Sequence, residues 1–432
     1  MNPFLYGLYQ LLKLLTWVVF RVFYPRTRTE GMQHLHFRGP GLLVSNHPNT
    51  LLDPLNAAVR ARQQVFFLAN AGLFNHPVAN WLLNRLYCIP IKRQHEKGGQ
   101  HINNADSFKR SHDHLAQGGV MYIAPEGGSE LERRLRPIKT GTARIALGAE
   151  ARHDFQLGVH IYPVGLNYEH PQHCGSRQFV RAGEPIRVAD WQDAYRADPI
   201  NAVRDLTHHL AASLQDLLIH TEDLEQDKLL YRLETILQHD EPVSPEDYHF
   251  RGRHLLTHLK QLRREAPNAY TRLQEEAADY RRQLRELHLT DRGLAPATPA
   301  RLGWWGWIGA PFWLYGRLNN LLPYELPRLL QRRLGLYPGY DATVKILGGI
   351  LLVPLFYWLQ TKLVALACPG WGWVYLLSLP LSAWLAWTYA GYVQPRREKW
   401  RWQRFQQQQP EQARTLAQAR AHLQYQANQL LA

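Results

Sequence analysis

Short apolar runs alternate with stretches of helical spacing along the first half of the chain, and the pattern then changes twice. Up to about Asp190 the runs fall at residues 42–44, 65–68, 88–91, 120–124, 161–166 and 178–180. They are too short for helices, rich in Val, Ile, Leu and aromatic residues, and bounded by glycine, proline or polar residues, as strands are. Helical stretches are predicted to start at Pro54, near Pro77, near Asn103 and near Thr140. Strands separated by helices imply an α/β layered domain with a mostly parallel sheet, expected over residues 29–195. From Ile200 to about Leu289 leucines recur at helical intervals, as at Leu206, Leu210, Leu214, Leu217 and Leu218, then Leu229, Leu230, Leu233 and Ile236. This predicts amphipathic helices forming an α-helical insert over 196–290. The adjacent His208 and His209 lack the spacing of metal ligands.

The ends of the chain read differently. Residues 3–24 are apolar except for Gln10, Lys13 and Arg21, which at about 100° per residue fall on one narrow stripe. An N-terminal helix lying in a membrane interface (residues 1–28) suits this better than a span. A cleaved signal peptide is not expected, because no small-residue cleavage site follows and Arg21, Arg26 and Arg28 lie on the wrong side. Residues 304–322 are aromatic-rich but carry Arg317 and helix breakers, so a linker with an interfacial helix is expected over 291–342. Residues 344–367 and 373–393 are each long enough to cross a bilayer. They predict a C-terminal transmembrane helical hairpin over 343–395, with Lys345 and Lys362 placed to snorkel. The alternative is a pair of buried core helices. The connection 368–372 is uncharged, whereas Arg328, Arg332 and Arg333 precede the pair and Arg396, Arg397, Lys399 and Arg401 follow it. The positive-inside rule then orients an integral protein of the cell (inner) membrane with its α/β domain facing the cytoplasm. Residues 396–432 read as a basic, Gln-rich cytoplasmic tail.

Composition sharpens the choice of partner. A length of 432 residues allows two or three domains, and a net charge of +14 points to something anionic. The positive charge lies beside Trp-rich apolar segments and no nucleic-acid-binding motif is present, which favours phosphate groups and a lipid bilayer over nucleic acid. Cys88, Cys174 and Cys368 are widely separated and offer neither a metal pattern nor a disulfide framework, as suits a reducing, cytosol-facing compartment.

Chemistry concentrates in four stretches of the α/β domain. The first is residues 45–53, SNHPNTLLD. His47 can take and return a proton near neutrality, and Asp53 could hold its imidazole in one tautomer. Asp53 followed by Pro54 is equally a helix-start signal, with the carboxylate capping free amides. The second, YCIPIKRQ at 87–94, delivers Lys92 and Arg93 at a strand end, where they could hold a phosphate or simply be solvated. The third, MYIAPEGGSE at 121–130, runs into glycines that let a ligand approach the backbone. There Glu126 could accept hydrogen bonds from substrate hydroxyls, with Arg136 and Lys139 supplying positive charge; a tight turn with a solvated glutamate is the plainer alternative. The fourth, HIYPVGLN at 160–167, carries Pro163, which suggests an edge strand or a bulge beside a pocket.

In their order and spacing these four stretches resemble the blocks of the glycerophospholipid acyltransferase family, the phosphate acyltransferase domain of glycerol-3-phosphate and lysophosphatidic acid acyltransferases. The family's blocks are a His…Asp block, one resembling G-x-I-P-I-x-R, one resembling F-P-E-G-x-S, and a V-P-V-type strand. This chain has NHPNTLLDP, YCIPIKR, APEGGS and IYPVGLN, all within roughly residues 30–190. The resemblance implies that His47 is the general base and Asp53 its orienting partner. It also implies that Arg93 contacts the acceptor phosphate and that Glu126 and Gly127 line the acceptor site. Lys92, Gly128, Ser129 and Lys139 join them as candidate substrate-binding residues. The implied reaction moves an acyl group from acyl-CoA or acyl-carrier protein, as co-substrate, to a glycerol-phosphate or lysophospholipid hydroxyl at a bilayer, with no metal and no bound cofactor. The chain departs from the pattern at three places. Five residues rather than four separate His47 from Asp53, as in a subset of glycerol-3-phosphate acyltransferases. Tyr87 and Cys88 stand where glycine is frequent, and Ala124 where phenylalanine is. The rival readings are a non-catalytic membrane or lipid-binding adaptor, and a phospholipid transacylase.

Overall fold

A computed structural model describes residues 3–37, 39–92 and 104–432. The chain divides into two compact units, Met1–His220 with Pro338–Thr343, and Thr221–Tyr337 with Val344–Ala432.

The first unit holds α1 (Pro3–Phe23), β1 (Arg26–Glu30), β2 (Gly41–Ser45), α2 (Leu52–Ala58), β3 (Val65–Asn70), α3 (Pro77–Arg85), β4 (Cys88–Ile91), α4 (Asn104–Ala116), β5 (Val120–Ile123), α5 (Gly141–Ala151), β6 (His160–Tyr168), β7 (Arg177–Ala182), β8 (Ile186–Arg187), α6 (Gln192–Ala197) and α7 (Pro199–Asp216). The strands form one sheet in the order β1-β7-β6-β2-β5-β3-β4, with β8 beside β6. Neighbours run parallel except where β7 and β8 lie antiparallel to β6. Every residue of the central β2 is buried, as expected of a parallel strand covered on both faces. Leu42, Val44, Met121, Ile123 and Ile161 of the sheet share a core with Ile145 and Leu147 of α5 and Leu206, Leu210 and Leu214 of α7. Helix α7, expected to open the helical insert, therefore belongs to the α/β core, and the contact boundary falls at His220 rather than near residue 195.

The six expected strands are present, and two more join them. β1 is RTRTE, with no apolar residue to mark it, and it gains its place by parallel pairing to β7. Pro163 is not on an edge strand: β6 is paired on both sides. The proline sits where the second side of β6 changes partner, since β8 pairs His160 and Ile161 and β7 takes over at Val164. At that gap no ladder donor is required, so the missing N–H costs nothing. Of the polar stripe of α1, Lys13 is turned onto the domain, whereas Arg21 is exposed. The Lys13 ammonium bonds the Ala61 carbonyl, and the Tyr9 hydroxyl accepts from the Val65 amide at 3.0 Å.

The second unit is helical: α8 (Leu224–Asp240), α9 (Pro245–Glu265), α10 (Pro267–Glu286), α11 (Asp291–Leu294), α12 (Trp304–Asn319), α13 (Leu321–Leu334), most of α14 (Asp341–Ala367), α15 (Gly372–Gln408) and α16 (Pro410–Gln429). Side-chain caps start α8 and α9, where Asp223 accepts from the Gln226 amide and Ser244 from the Asp247 amide. The leucine pattern is buried as predicted, with Leu229, Leu230, Leu233, Leu255 and Leu259 inside. Residues 396–432, expected as a tail, form the end of α15 and the folded helix α16. Arg420 of α16 is buried between Asp240 (2.8 Å) and Asp291 (2.9 Å). Asp291 also meets His239 Nδ1 at 2.7 Å and accepts from the Tyr280 hydroxyl at 2.7 Å. Burial alone would raise the Asp291 carboxyl, but the His239 hydrogen bond and the Arg420 charge outweigh it and hold the group below its ordinary value.

Among the described residues two helices are long and apolar enough to cross a bilayer, α1 and Pro338–Ala367. Helix α15, which carries the second expected span at 373–393, is not one of them. Its sequence there mixes Ser378, Pro380, Ser382, Thr388 and Gly391 among the apolar residues. It lies along α12, where the Tyr389 hydroxyl donates to the Gly306 carbonyl at 2.6 Å and Tyr315 meets Ser378 at 2.7 Å. Gly316 permits that approach, because a Cβ there would strike the Ser382 carbonyl.

Candidate active site

Strands β2, β3, β4, β5 and β6 are mutually parallel, so their C-terminal ends share one edge of the sheet. Open α/β sheets bind ligands at this edge, where successive connections leave in different directions. His47 follows β2, Lys92 follows β4, Glu126 follows β5, and Tyr168 ends β6.

The link from β2 to α2 brings His47 and Asp53 together. Nδ1 of His47 lies 3.1 Å from Oδ2 of Asp53, and the Asp53 side chain is completely buried. The same Oδ2 accepts the Asn49 amide at 2.5 Å, and Oδ1 accepts the Tyr168 hydroxyl at 2.9 Å. Three donors thus surround a carboxylate shielded from solvent, which is the condition for burying such a group. The carboxylate requires a proton on Nδ1, and this leaves the lone pair on Nε2. No described group bonds Nε2, and the imidazole is 10% exposed. Asp53 is not the helix cap suggested by Asp-Pro. Helix α2 begins at Leu52, one residue before it, and the carboxylate turns back into the preceding loop.

Most residues of that loop are held by hydrogen bonds. Asn46 makes a two-pronged bond to the Leu166 backbone of β6, at 3.0 and 2.8 Å. Ser45 meets the buried Tyr122 hydroxyl at 2.9 Å. Asn49 donates to the Tyr24 hydroxyl at 2.9 Å and to the Pro171 carbonyl at 3.0 Å. Thr50 takes φ +40°, a left-handed conformation uncommon for a residue with a Cβ. Its amide donates to Ser129 Oγ at 2.9 Å, and its hydroxyl meets Thr343 Oγ1 at 2.8 Å at the start of α14. Behind Asp53, Asn56 donates to the Tyr168 hydroxyl at 2.7 Å and to Gln178 Oε1 at 2.9 Å. Burial, then the Asp53 charge, pushes the Tyr24 and Tyr168 phenols well above their ordinary values, so both remain neutral donors.

The other predicted residues divide into two kinds. Glu126 and Ser129, expected at substrate, serve the loop. Glu126 Oε1 accepts the His47 amide at 2.7 Å and Oε2 accepts the Arg136 amide at 3.0 Å. Burial raises the Glu126 carboxyl, and these two amides oppose the rise. Gly127, Gly128, Lys92 and Lys139 remain available. Gly127 turns the chain with φ +70°, and a Cβ on Gly128 would meet nothing within 4 Å. Lys139 is exposed beside that turn, its own amide tied to the Pro125 carbonyl at 2.7 Å. Lys92 is fixed through its backbone by Asn104, at 3.0 and 3.1 Å. The Arg136 guanidinium faces Glu130 and Glu132, at 3.5 and 3.4 Å, rather than open space. Arg93 lies outside the described residues. Tyr24, Asn46, Asn49, Asn56, Tyr168 and Thr343 were not anticipated. Only Asn46 and Asn49 stood inside a recognised block.

Comparison with known proteins places part of the chain beside acyltransferases. The sequence profile of the Acyltransferase family matches residues 26–167. Glycerol-3-phosphate O-acyltransferase 1 of Saccharomyces cerevisiae is 35% identical over 127 residues, which is 29% of this chain and 17% of that protein. A chloroplastic 1-acyl-sn-glycerol-3-phosphate acyltransferase of Brassica napus is 27% identical over 142 residues, 33% of this chain and 37% of that protein. The match thus spans about a sixth of the yeast enzyme and little more than a third of the plant one. The crystal structure of the 1-acyl-sn-glycerophosphate acyltransferase of Thermotoga maritima aligns with a TM-score of 0.36 at 14% identity, over 50% of this chain and 82% of that one. Residues 26–167 of this chain therefore match the Acyltransferase family, and the relatives they resemble include glycerol-3-phosphate and 1-acyl-sn-glycerol-3-phosphate acyltransferases.

Proposed function

We propose that this protein is a membrane-bound O-acyltransferase that moves a fatty acyl group from a thioester to a hydroxyl of glycerol 3-phosphate or 1-acylglycerol 3-phosphate. The observation that carries the reading is the buried, three-donor Asp53 carboxylate facing His47 Nδ1, with Nε2 left free at the C-terminal edge of the sheet. Nε2 takes the proton of the acceptor hydroxyl as its oxygen attacks the thioester carbonyl. The C–S bond then breaks, the proton passes to the departing thiolate, and an ester and a free thiol are released. Asp53 stabilises the imidazolium between these steps. Lys92, Arg93 and Lys139 supply cations for the acceptor phosphate, whose anchoring makes the hydroxyl effectively intramolecular to the base. The co-substrate is acyl-CoA or acyl-carrier protein. The apolar helices α1 and Pro338–Ala367 hold the protein at the bilayer where acyl chains reside, with the α/β domain on the cytoplasmic side.

The purified full chain in lipid vesicles, given radiolabelled acyl-CoA and each acceptor in turn, tests the reading. Labelled ester is expected with at least one glycerol-phosphate acceptor. Label moving only between intact phospholipids would establish the transacylase instead, and no transfer with any acceptor would leave the adaptor reading.

A further inference from the structure

Among the described residues, helix α3 is one face short of a partner. None of its nine residues is buried. Val78, Trp81 and Leu82 are 65%, 57% and 41% exposed, and with Arg85 they occupy one face at i, i+3, i+4 and i+7. In a water-soluble helix this apolar stripe is the face that packs inward. Here the inward residues are Ala79, Asn80, Leu83 and Leu86, all half-buried. Leu73, in the turn before the helix, adds a further residue 56% exposed. The helix is nonetheless well made, with Pro77 in its first turn and the His76 ring accepting the Val78 amide.

Three observations say what covers this face. The Arg85 guanidinium stacks on the Trp81 ring at 4.3 Å, a pairing of aromatic body and cation suited to the boundary between acyl chains and headgroups. Between Asp53 and Lys92 the chain has no Asp or Glu, while Arg62, Arg85 and Lys92 are basic, so the region complements an anionic surface. Helix α1, long and apolar enough to cross a bilayer, is fastened alongside. Its Tyr9 ring meets the Tyr87 ring edge-on at 5.7 Å, two residues past the end of α3, and Phe4, Leu11, Leu14 and Val18 of α1 are exposed.

We propose that α3 is a lipid-surface element, lying in the interface of an anionic bilayer with Val78, Trp81 and Leu82 among the acyl chains and Arg85 at the level of the phosphates. The chain enters α3 from the C-terminal end of β3, the edge that presents His47, and leaves it for the start of the parallel β4, so a seated α3 has its first turn on the His47 side. The inference concerns placement and stands whether or not acyl transfer is the chemistry.

The test uses the full chain with the two exposed cysteines, Cys174 and Cys368, replaced by serine; Cys88 is buried. Leu82→Cys, and Val78→Cys as a second position, carry a nitrobenzoxadiazole label in vesicles of phosphatidylcholine with or without phosphatidylglycerol. Lys109→Cys on the exposed side of α4 is the control. Both α3 labels are expected to emit further to the blue than the control and to lose intensity with lipids bearing a nitroxide near the headgroup, more so when phosphatidylglycerol is present. Emission and quenching equal to the control at both positions would overturn the proposal. So would a blue shift that disappears on diluting the protein in the bilayer and ignores the nitroxide, since that would assign the face to a second copy of the chain.

Discussion

At the scale of single residues, most of the site's chemistry is spent on holding one carboxylate. Asp53 is fully buried, and Asn49, Tyr168 and His47 all meet its two oxygens. His47 and Asp53 were legible because a dyad needs particular residue types. Tyr168 was not, since a tyrosine one residue beyond an apolar run looks like any other strand end. Glu126 was legible as important but its partner was not, because two backbone amides leave no trace in a sequence. A hydrogen bond to a charged group contributes about 1.5–3 kcal/mol. Tyr168→Phe should therefore lower kcat roughly 10- to 100-fold if the whole effect falls on the transition state. The acceptor KM should stay unchanged, because Tyr168 touches Asp53 and not substrate. Steady-state kinetics on the folded variant decide this, and an unchanged kcat would contradict the orienting role of Asp53.

At the scale of elements, the strands were read well because buried parallel strands are continuous apolar runs. β1 escaped because its register comes from β7 and not from its own Arg-Thr alternation. Pro163 suggested an edge strand or a bulge because the rule for proline assumes one partner per side, whereas β6 changes partner at that residue. Within the five residues between His47 and Asp53, Thr50 reaches Thr343 with its hydroxyl and Ser129 with its amide. That contact joins positions 293 residues apart and was invisible in the sequence. Losing one such neutral bond costs about 1 kcal/mol. Thr343→Val is expected to reduce kcat roughly fivefold, and Thr343→Ser, which keeps the hydroxyl, should restore it. Equal rates in the two variants would show that the left-handed Thr50 conformation does not depend on the Thr343 hydroxyl.

At the scale of the whole molecule, the sequence marked two regions correctly as α/β and helical but misjudged what closes each. Helix α7 belongs with the sheet, and the supposed tail is α16, whose Arg420 is clamped by Asp240 and Asp291. A polar, Gln-rich composition hid the small apolar stripe of Ala413, Leu416, Leu423 and Ala427. Arg420→Ala leaves two carboxylates buried without their cation and should destabilise the helical unit by about 3–5 kcal/mol, seen as a lower thermal midpoint. The same cluster makes a pH prediction. Asp291 is held below its ordinary value of 3.8, so it contributes stability above that pH and loses it as the pH falls through the lower folded value. Thermal midpoints of the wild-type chain should drop on that acid limb, and the drop should shrink in Arg420→Ala. Identical acid limbs would remove the ion cluster from the account.

The central claim is that His47 is the base of an acyl transfer, and His47→Ala tests it most directly. The wild-type chain and the variant, both in lipid vesicles, are given labelled acyl-CoA and whichever glycerol-phosphate acceptor the wild type uses. With the thermal midpoint retained, turnover should fall roughly 100- to 10,000-fold, the usual contribution of a positioned general base. Turnover close to wild type in a folded His47→Ala protein would contradict the assignment.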